Sequence, residues 1–278
     1  MKRIMMKRII YLMLVVIFGG AVAFAQEKDS VAVEYNNVES GNVKEDGLAV
    51  TKGMADSAYI SNDFAAAILY YEELLTQNGE SADVYYNLGN SYYKSENIAK
   101  AILNYERALL LKPGDEDIRF NLEMAQSKTV DKVMPQSELF FITWIKQLRN
   151  LNDADSWGKW GIVFFLLFII FVVLYIFGKQ LLLRKIGFGA AVLLLFLVVV
   201  TNIFAFQQKE VMREQKGAIV VAPSITVKST PTDSGTDLFI LHEGHKIHIK
   251  DDSMKGWKEI VLEDGKVGWV PTSSIEII

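Results

Sequence analysis

Two uninterrupted apolar runs, Gly161–Phe177 and Ile186–Phe206, constrain this chain more than any other feature. A short basic segment, Gly178–Lys185, separates them. A bilayer core of roughly 30 Å takes about 17–25 apolar residues to cross, and neither run contains a charge. The expectation is a multidomain membrane protein with spans over 157–177 and 186–206 and a loop over 178–185. Because the two spans form a hairpin, the parts before and after it must lie on one side of the bilayer.

The N-terminus points to which side. Lys2, Arg3, Lys7 and Arg8 precede an apolar stretch, Ile9–Phe18, and Ala23-Phe24-Ala25 supplies small residues before Gln26. That is the layout of a secretory signal peptide over residues 1–25, either cleaved or retained as an anchor. The hairpin loop carries Lys179, Arg184 and Lys185 and no acid, and short loops rich in Lys and Arg stay cytoplasmic. Both signals export the flanking parts. Trp157, Trp160 and Tyr175 stand near the ends of the first span, where amphipathic rings favour the headgroup level. Residues 135–156 include an amphipathic stretch, Leu139–Leu148, expected to lie either on the bilayer surface or against the preceding domain. Within the two apolar runs only Thr201 and Asn202 are strongly polar. With no ionisable group to mark a transport path, the hairpin is read as an anchor, and Gly187 and Gly189 as places where its helices approach closely.

Charge and cysteine content narrow the function. Residues 26–135 hold 10 Lys and Arg against 19 Asp and Glu, a net of −9. Such a surface does not suit nucleic acid, whose phosphates need a basic face. There is no cysteine, so disulfides and thiol chemistry are excluded. Residues 26–47 are polar and read as a flexible leader. No phosphate-binding loop, nucleophile elbow or zinc-protease helix occurs, so neither an enzyme nor a cofactor is expected.

The chain repeats itself at a shift of 34 residues: Asp63–Glu72 matches Asn97–Glu106, and Ala55–Tyr59 matches Gly89–Tyr93. The second copy carries Tyr85, Leu88-Gly89, Tyr92, Ala101, Tyr105, Ala108 and Pro113. This spacing resembles the tetratricopeptide repeat, a two-helix unit whose apolar face a neighbour must cover. The resemblance implies an all-α solenoid over 48–134, with repeats at 48–81 and 82–115 and a half-repeat at 116–128. The first copy departs from the pattern at Ala55, Ala58 and Leu74. Repeats of this family bind peptides on the surface built from their first helices. By position, that surface comprises Lys52, Asp56 and Tyr59, then Tyr86, Asn90 and Tyr93, then Phe120 and Met124. The family's basic clamp for terminal carboxylates is matched only by Asn90.

After a polar helical stalk, Gln207–Lys216, short alternating runs with turn signals predict strands. They fall at Ala218–Val221, Ile225–Lys228, Phe239–Leu241, Lys246–Ile249, Lys258–Leu262 and Val267–Val270. Asp264-Gly265 suits a tight hairpin. Val227–Pro231, Leu241–Gly244, Gly256-Trp257 and Asp264–Pro271 together resemble a bacterial SH3 domain, implying a small all-β barrel within 207–278. Trp257 and Trp269 are expected either in its core or along a binding groove. The histidines His242, His245 and His248 are spaced by three, which does not place them on one strand face, so no metal site is expected.

The order of signal peptide, repeats, helical hairpin and SH3-like module is similar to the BatE-like family of the Bacteroides aerotolerance (Bat) operon. That resemblance implies a bacterial inner-membrane protein with both soluble domains in the periplasm. Its implied partners are membrane-anchored von Willebrand factor A proteins, an oxygen-tolerance protein and a MoxR-type ATPase. The expected role is a scaffold; the alternative is peptidoglycan recognition through the SH3-like module.

Overall fold

The structure, a computed structural model, describes residues 50–131, 139–214 and 216–278. The expected signal peptide and the whole of the leader therefore lie outside the described residues, as does the end of the repeat region.

Five helices form the first part: α1 (Lys52–Ile60), α2 (Phe64–Asn78), α3 (Ala82–Lys94), α4 (Ile98–Leu111) and α5 (Glu116–Ser127). Their turns repeat as the sequence does. Asn62 and Glu96 take left-handed backbone (φ 62° and 66°). The next residue in each case, Asp63 or Asn97, caps the following helix by accepting from the amide of Ala66 (3.0 Å) or Lys100 (3.2 Å). Such side-chain caps satisfy amides that a helix start leaves free. Within each pair the second-helix tyrosine reaches back to the first helix. The Tyr71 hydroxyl donates to Asp56 Oδ1 at 2.6 Å, and that of Tyr105 to Asn90 Oδ1 at 2.7 Å. Gly89 is required by this packing, because a Cβ there would sit 2.7 Å from the Tyr105 ring and 3.3 Å from the Ala101 carbonyl oxygen. Leu88, Tyr92, Ala101, Tyr105 and Ala108 are all buried in one core. Pro113 comes just after the C-cap Lys112 of α4, where its missing donor keeps the helix from continuing.

Next come α6 (Phe140–Arg149), α7 (Ala154–Phe177) and α8 (Leu181–Glu214). Helices α7 and α8 are long and apolar enough to cross a membrane. They pack antiparallel: Trp157 meets Phe204 edge-on (5.2 Å between ring centroids), and Tyr175 meets Phe188 (5.6 Å). Gly187 fits only as glycine, since a Cβ would lie 2.8 Å from the Tyr175 amide, whereas Gly189 faces open space. Gly161 supplies a second close approach, against Thr201 and Asn202. Those two polar side chains bond carbonyls of their own helix, at Leu197 and Val198. Two boundaries differ from the sequence reading. Only residues 178–180 separate the helices, so Arg184 and Lys185 belong to the start of α8, and Lys179 remains in the turn. The stalk is not a separate element but the continuation of α8 to Glu214.

The C-terminal part contains β1 (Gly217–Val220), β2 (Ser224–Lys228), β3 (Asp237–His242), β4 (Lys246–Asp251), β5 (Trp257–Val261), β6 (Val267–Pro271) and β7 (Ile275–Ile277). All pairings are antiparallel, in the order β3-β2-β6-β5-β4-β1-β7. Strands from both ends of this order share one core, including Val220, Val227, Leu241, Ile260, Val270 and Ile275. Yet the two outer strands, β3 and β7, do not pair among the described residues, so the sheet is open where a closed barrel was expected. Strand β7 was not anticipated at all.

Candidate partner-binding surface

The first helices, α1, α3 and α5, carry the residues picked out by position. On α1, Lys52 pairs with Asp56 at 3.3 Å, and Asp56 also accepts from Tyr71. Tyr59 sets its edge against Phe64, with 5.5 Å between centroids. On α3, Tyr86 and Asn90 belong to one network: Asn121 Nδ2 donates to the Tyr86 hydroxyl (2.8 Å) and to Asn90 Oδ1 (3.2 Å). Asn90 Oδ1 is therefore committed to Tyr105 and Asn121, and the donors of its Nδ2 are the groups a carboxylate would meet. Tyr93 lies under the Lys128 ammonium, 4.1 Å from the ring centroid, a cation–π contact. On α5, Phe120 and Met124 are 62% and 39% exposed. Tyr59, Tyr86 and Tyr93 are only partly covered.

Burial, with the neighbouring phenols of Tyr86, Tyr59 and Tyr93, pushes the Tyr105 hydroxyl well above its ordinary pKa. Burial and the Asp56 carboxylate do the same for Tyr71. Both phenols thus stay protonated donors at neutral pH. The arrangement offers aromatic and thioether surface rimmed by Lys52 and Lys128. Sequence reasoning missed Asn121 and Lys128; their shifts relative to the second repeat, to Asn87 and Lys94, gave no motif to read.

The opposite side of the second repeat is not free. The β-sheet module seats on α4. Ile219 and Ile278 join the helical core. Arg107 Nη2 donates to the Ile277 carbonyl at 2.6 Å, and Lys246 Nζ contacts Glu106 Oε2 at 2.6 Å. Gly244 presses against Thr129 and Ile102 at φ +82°, so both space and backbone exclude a side chain. Asp131 receives the His242 amide (2.7 Å) and its Nδ1–H (2.9 Å), with His245 Nδ1 3.6 Å away. His242 therefore fastens the seam to this carboxylate twice, while the buried His245 Nδ1 stands close to it without a hydrogen bond. No group of three or more potential metal ligands occurs among the described residues.

Trp257 and Trp269 sit on neighbouring strands. The register Trp257↔Pro271 and Glu259↔Trp269 puts both on the face opposite Ile260 and Val270, which are fully buried. Both rings are partly exposed and lie outside the sheet core. The core placement weighed from sequence is thus not what the register gives.

These features define a helical-repeat protein with an open first-helix face. The tetratricopeptide repeat family model matches residues 82–115, which are the fully patterned second repeat. No curated protein matches the chain.

Proposed function

We propose that the chain is a membrane-anchored adaptor that works by binding proteins, not by catalysis. Helices α7 and α8 would cross the bilayer and hold the repeats and the sheet module on its outer side. The observation that carries the reading is the asymmetry of the repeats. Their first-helix face remains open, with Phe120 and Met124 exposed, while the opposite face is covered by the chain's own sheet module. Among the described residues of the repeats, the surface left open is the one this repeat class uses for protein segments.

Anchoring is supported by α7 and α8 themselves, whose apolar windows are 6% and 17% buried. Apolar surface of that extent is not sustained in water. Helix α6 supports it too. It buries no residue and exposes Phe140, Phe141, Trp144 and Ile145. Of the two placements open from sequence, this favours the bilayer surface over packing on the repeats.

The proposed setting is the periplasmic face of a bacterial inner membrane. The proposed partners are the membrane-anchored von Willebrand factor A and oxygen-tolerance proteins of a Bat complex. Crosslinking in intact cells followed by mass spectrometry tests this. Phe120→Ala with Met124→Ala should abolish recovery of the partner without unfolding the chain; unchanged recovery removes the proposal. A reporter fused after Ile278 that is active only in the cytosol would reverse the orientation. A second reading, recognition of peptidoglycan, is favoured by the outward Trp257 and Trp269, whose SH3-like setting remains a proposal. Retention of the full chain on purified sacculi, lost in Trp257→Ala with Trp269→Ala, would support it.

A further inference from the structure

We propose that the cleft between the second repeat and the base of the α7–α8 hairpin binds an anionic phosphate headgroup of a membrane lipid, with Arg119 and Arg149 as the phosphate ligands. The inference rests on the anchoring proposed above. The cleft has a volume of about 200 Å³, and its lining includes Leu110, Arg119, Arg149, Val211 and Met212.

Its level relative to the hairpin is the first argument. The apolar run of α8 ends at Phe206. At about 1.5 Å per residue, Gln208 to Met212 lie roughly 3–9 Å beyond it. The headgroup layer occupies about 5–7 Å on each side of the hydrocarbon core. The other wall is fixed at the same level, where Trp157 Nε1 donates to the Arg149 carbonyl (2.8 Å) and Gln208 Nε2 to that of Asn152 (3.5 Å).

Charge is the second argument. Neither guanidinium group pairs with a carboxylate among the described residues. Arg119 Nη2 donates to the Pro113 carbonyl (2.8 Å), and Arg149 Nε and Nη2 donate to Asn150 Oδ1 (3.1 Å each). A guanidinium carries five N–H donors, so each retains donors for another acceptor. The carboxylate in the wall, Glu106, is neutralised by Lys246 at 2.6 Å. Paired arginines suit phosphate oxygens, which they meet through parallel hydrogen bonds. The aliphatic lining from Leu110, Val211 and Met212 would lie against the glycerol and upper acyl chain.

Native mass spectrometry of the full chain in mild detergent, with phosphatidylglycerol or phosphatidylcholine added, tests this. Phosphatidylglycerol should be retained in preference to phosphatidylcholine. Arg119→Gln or Arg149→Gln should each weaken retention about fivefold, and the double variant more. Millimolar inorganic phosphate should not displace the lipid; displacement would make this a site for free anions and overturn the lipid assignment. Equal retention of the two lipids, or an unaffected double variant, would also overturn it. Carbonate extraction of membranes separates the two readings. A chain that washes out defeats the anchoring itself, whereas a chain that stays but shows no lipid preference defeats only the headgroup site.

Discussion

The two repeats share one plan and differ in what covers them. In both, the second-helix tyrosine bonds the first-helix Asp56 or Asn90, and in both a glutamate follows that tyrosine. Glu72 of the first repeat accepts from Tyr92 of the second. Glu106 of the second is met by Lys246 of the sheet module. The partner of an equivalent residue thus passes from the neighbouring repeat to a different fold. In the first repeat Ala58 stands where Tyr92 stands, and it lines a shallow hollow of about 590 Å³ with Met54 and Tyr70. Among the described residues the middle repeat is covered on both sides and keeps the family pattern, whereas the first is covered on one and departs from it.

The largest expected contrast concerns the helix crossing. Gly89→Leu must displace the Tyr105 ring or the Ala101 carbonyl, and overpacking of this kind costs about 3 kcal/mol. The equivalent Ala55 already carries a buried Cβ, so Ala55→Gly should cost only about 1 kcal/mol. Thermal unfolding of the full chain in detergent measures both. Similar losses would show that the two crossings are equally tight.

The seam comes next. Lys246→Met leaves the Glu106 carboxylate, 10% exposed, without its cation, which should cost about 2–3 kcal/mol. Tyr92→Phe removes only the hydroxyl from the exposed Glu72, for roughly 1 kcal/mol or less. If hydrogen exchange shows no loosening of β1 and β7 in Lys246→Met, the sheet module is not held through Glu106.

The seam should also respond to pH, as the first repeat should not. Burial, outweighing the pull of Asp131, Glu263 and Asp264, holds His245 below its ordinary pKa of 6.5. His248, two residues before Lys250 on β4, is exposed and does not share this burial. A group depressed on folding contributes fully above its unfolded pKa, and the contribution is lost as pH falls through the folded one. Stability of the seam should therefore fall as pH drops below about 6.5. Burial alone would raise the Asp131 pKa, but the His242 amide and imidazole and the His245 charge together hold it below 3.8, so its loss comes only in stronger acid. Protection of the β1 and β7 amides between pH 7.5 and 5 reports the first step. A flat profile would mean His245 stays solvated.

The helices were legible because period and packing coincide. A shift of 34 residues with Gly89, Ala101 and Tyr105 in place specifies a crossing, and α5 begins at Glu116, where the half-repeat was expected. Six strands were legible from alternation and turns. Strand β7 was not, because Ile275–Ile277 is short and pairs with β1 across the whole module. The seating of the sheet on α4 was not legible either. It depends on Arg107, Asp131 and Lys246, which are ordinary surface residues until distant segments meet. The place of Trp257 and Trp269 was open in the sequence, since a small domain wants large aromatics in its core; strand register sends both outward.

The smallest contrast lies in the two tyrosine hydroxyls. Tyr71→Phe frees Asp56, whose side chain is 38% exposed and keeps Lys52 as a partner, so water can replace the lost bond. The cost should be about 0.5 kcal/mol. Tyr105→Phe removes a donor from Asn90, deeper in the stack and shared with Asn121 and Tyr86, and should cost about 1–1.5 kcal/mol. The difference is close to the precision of denaturant titration, so the double variant decides it. Additive losses mean that the networks are separate. A shortfall of more than about 0.5 kcal/mol means that the repeats transmit strain to one another, and a partner on the first-helix face would then be felt at the sheet module behind it.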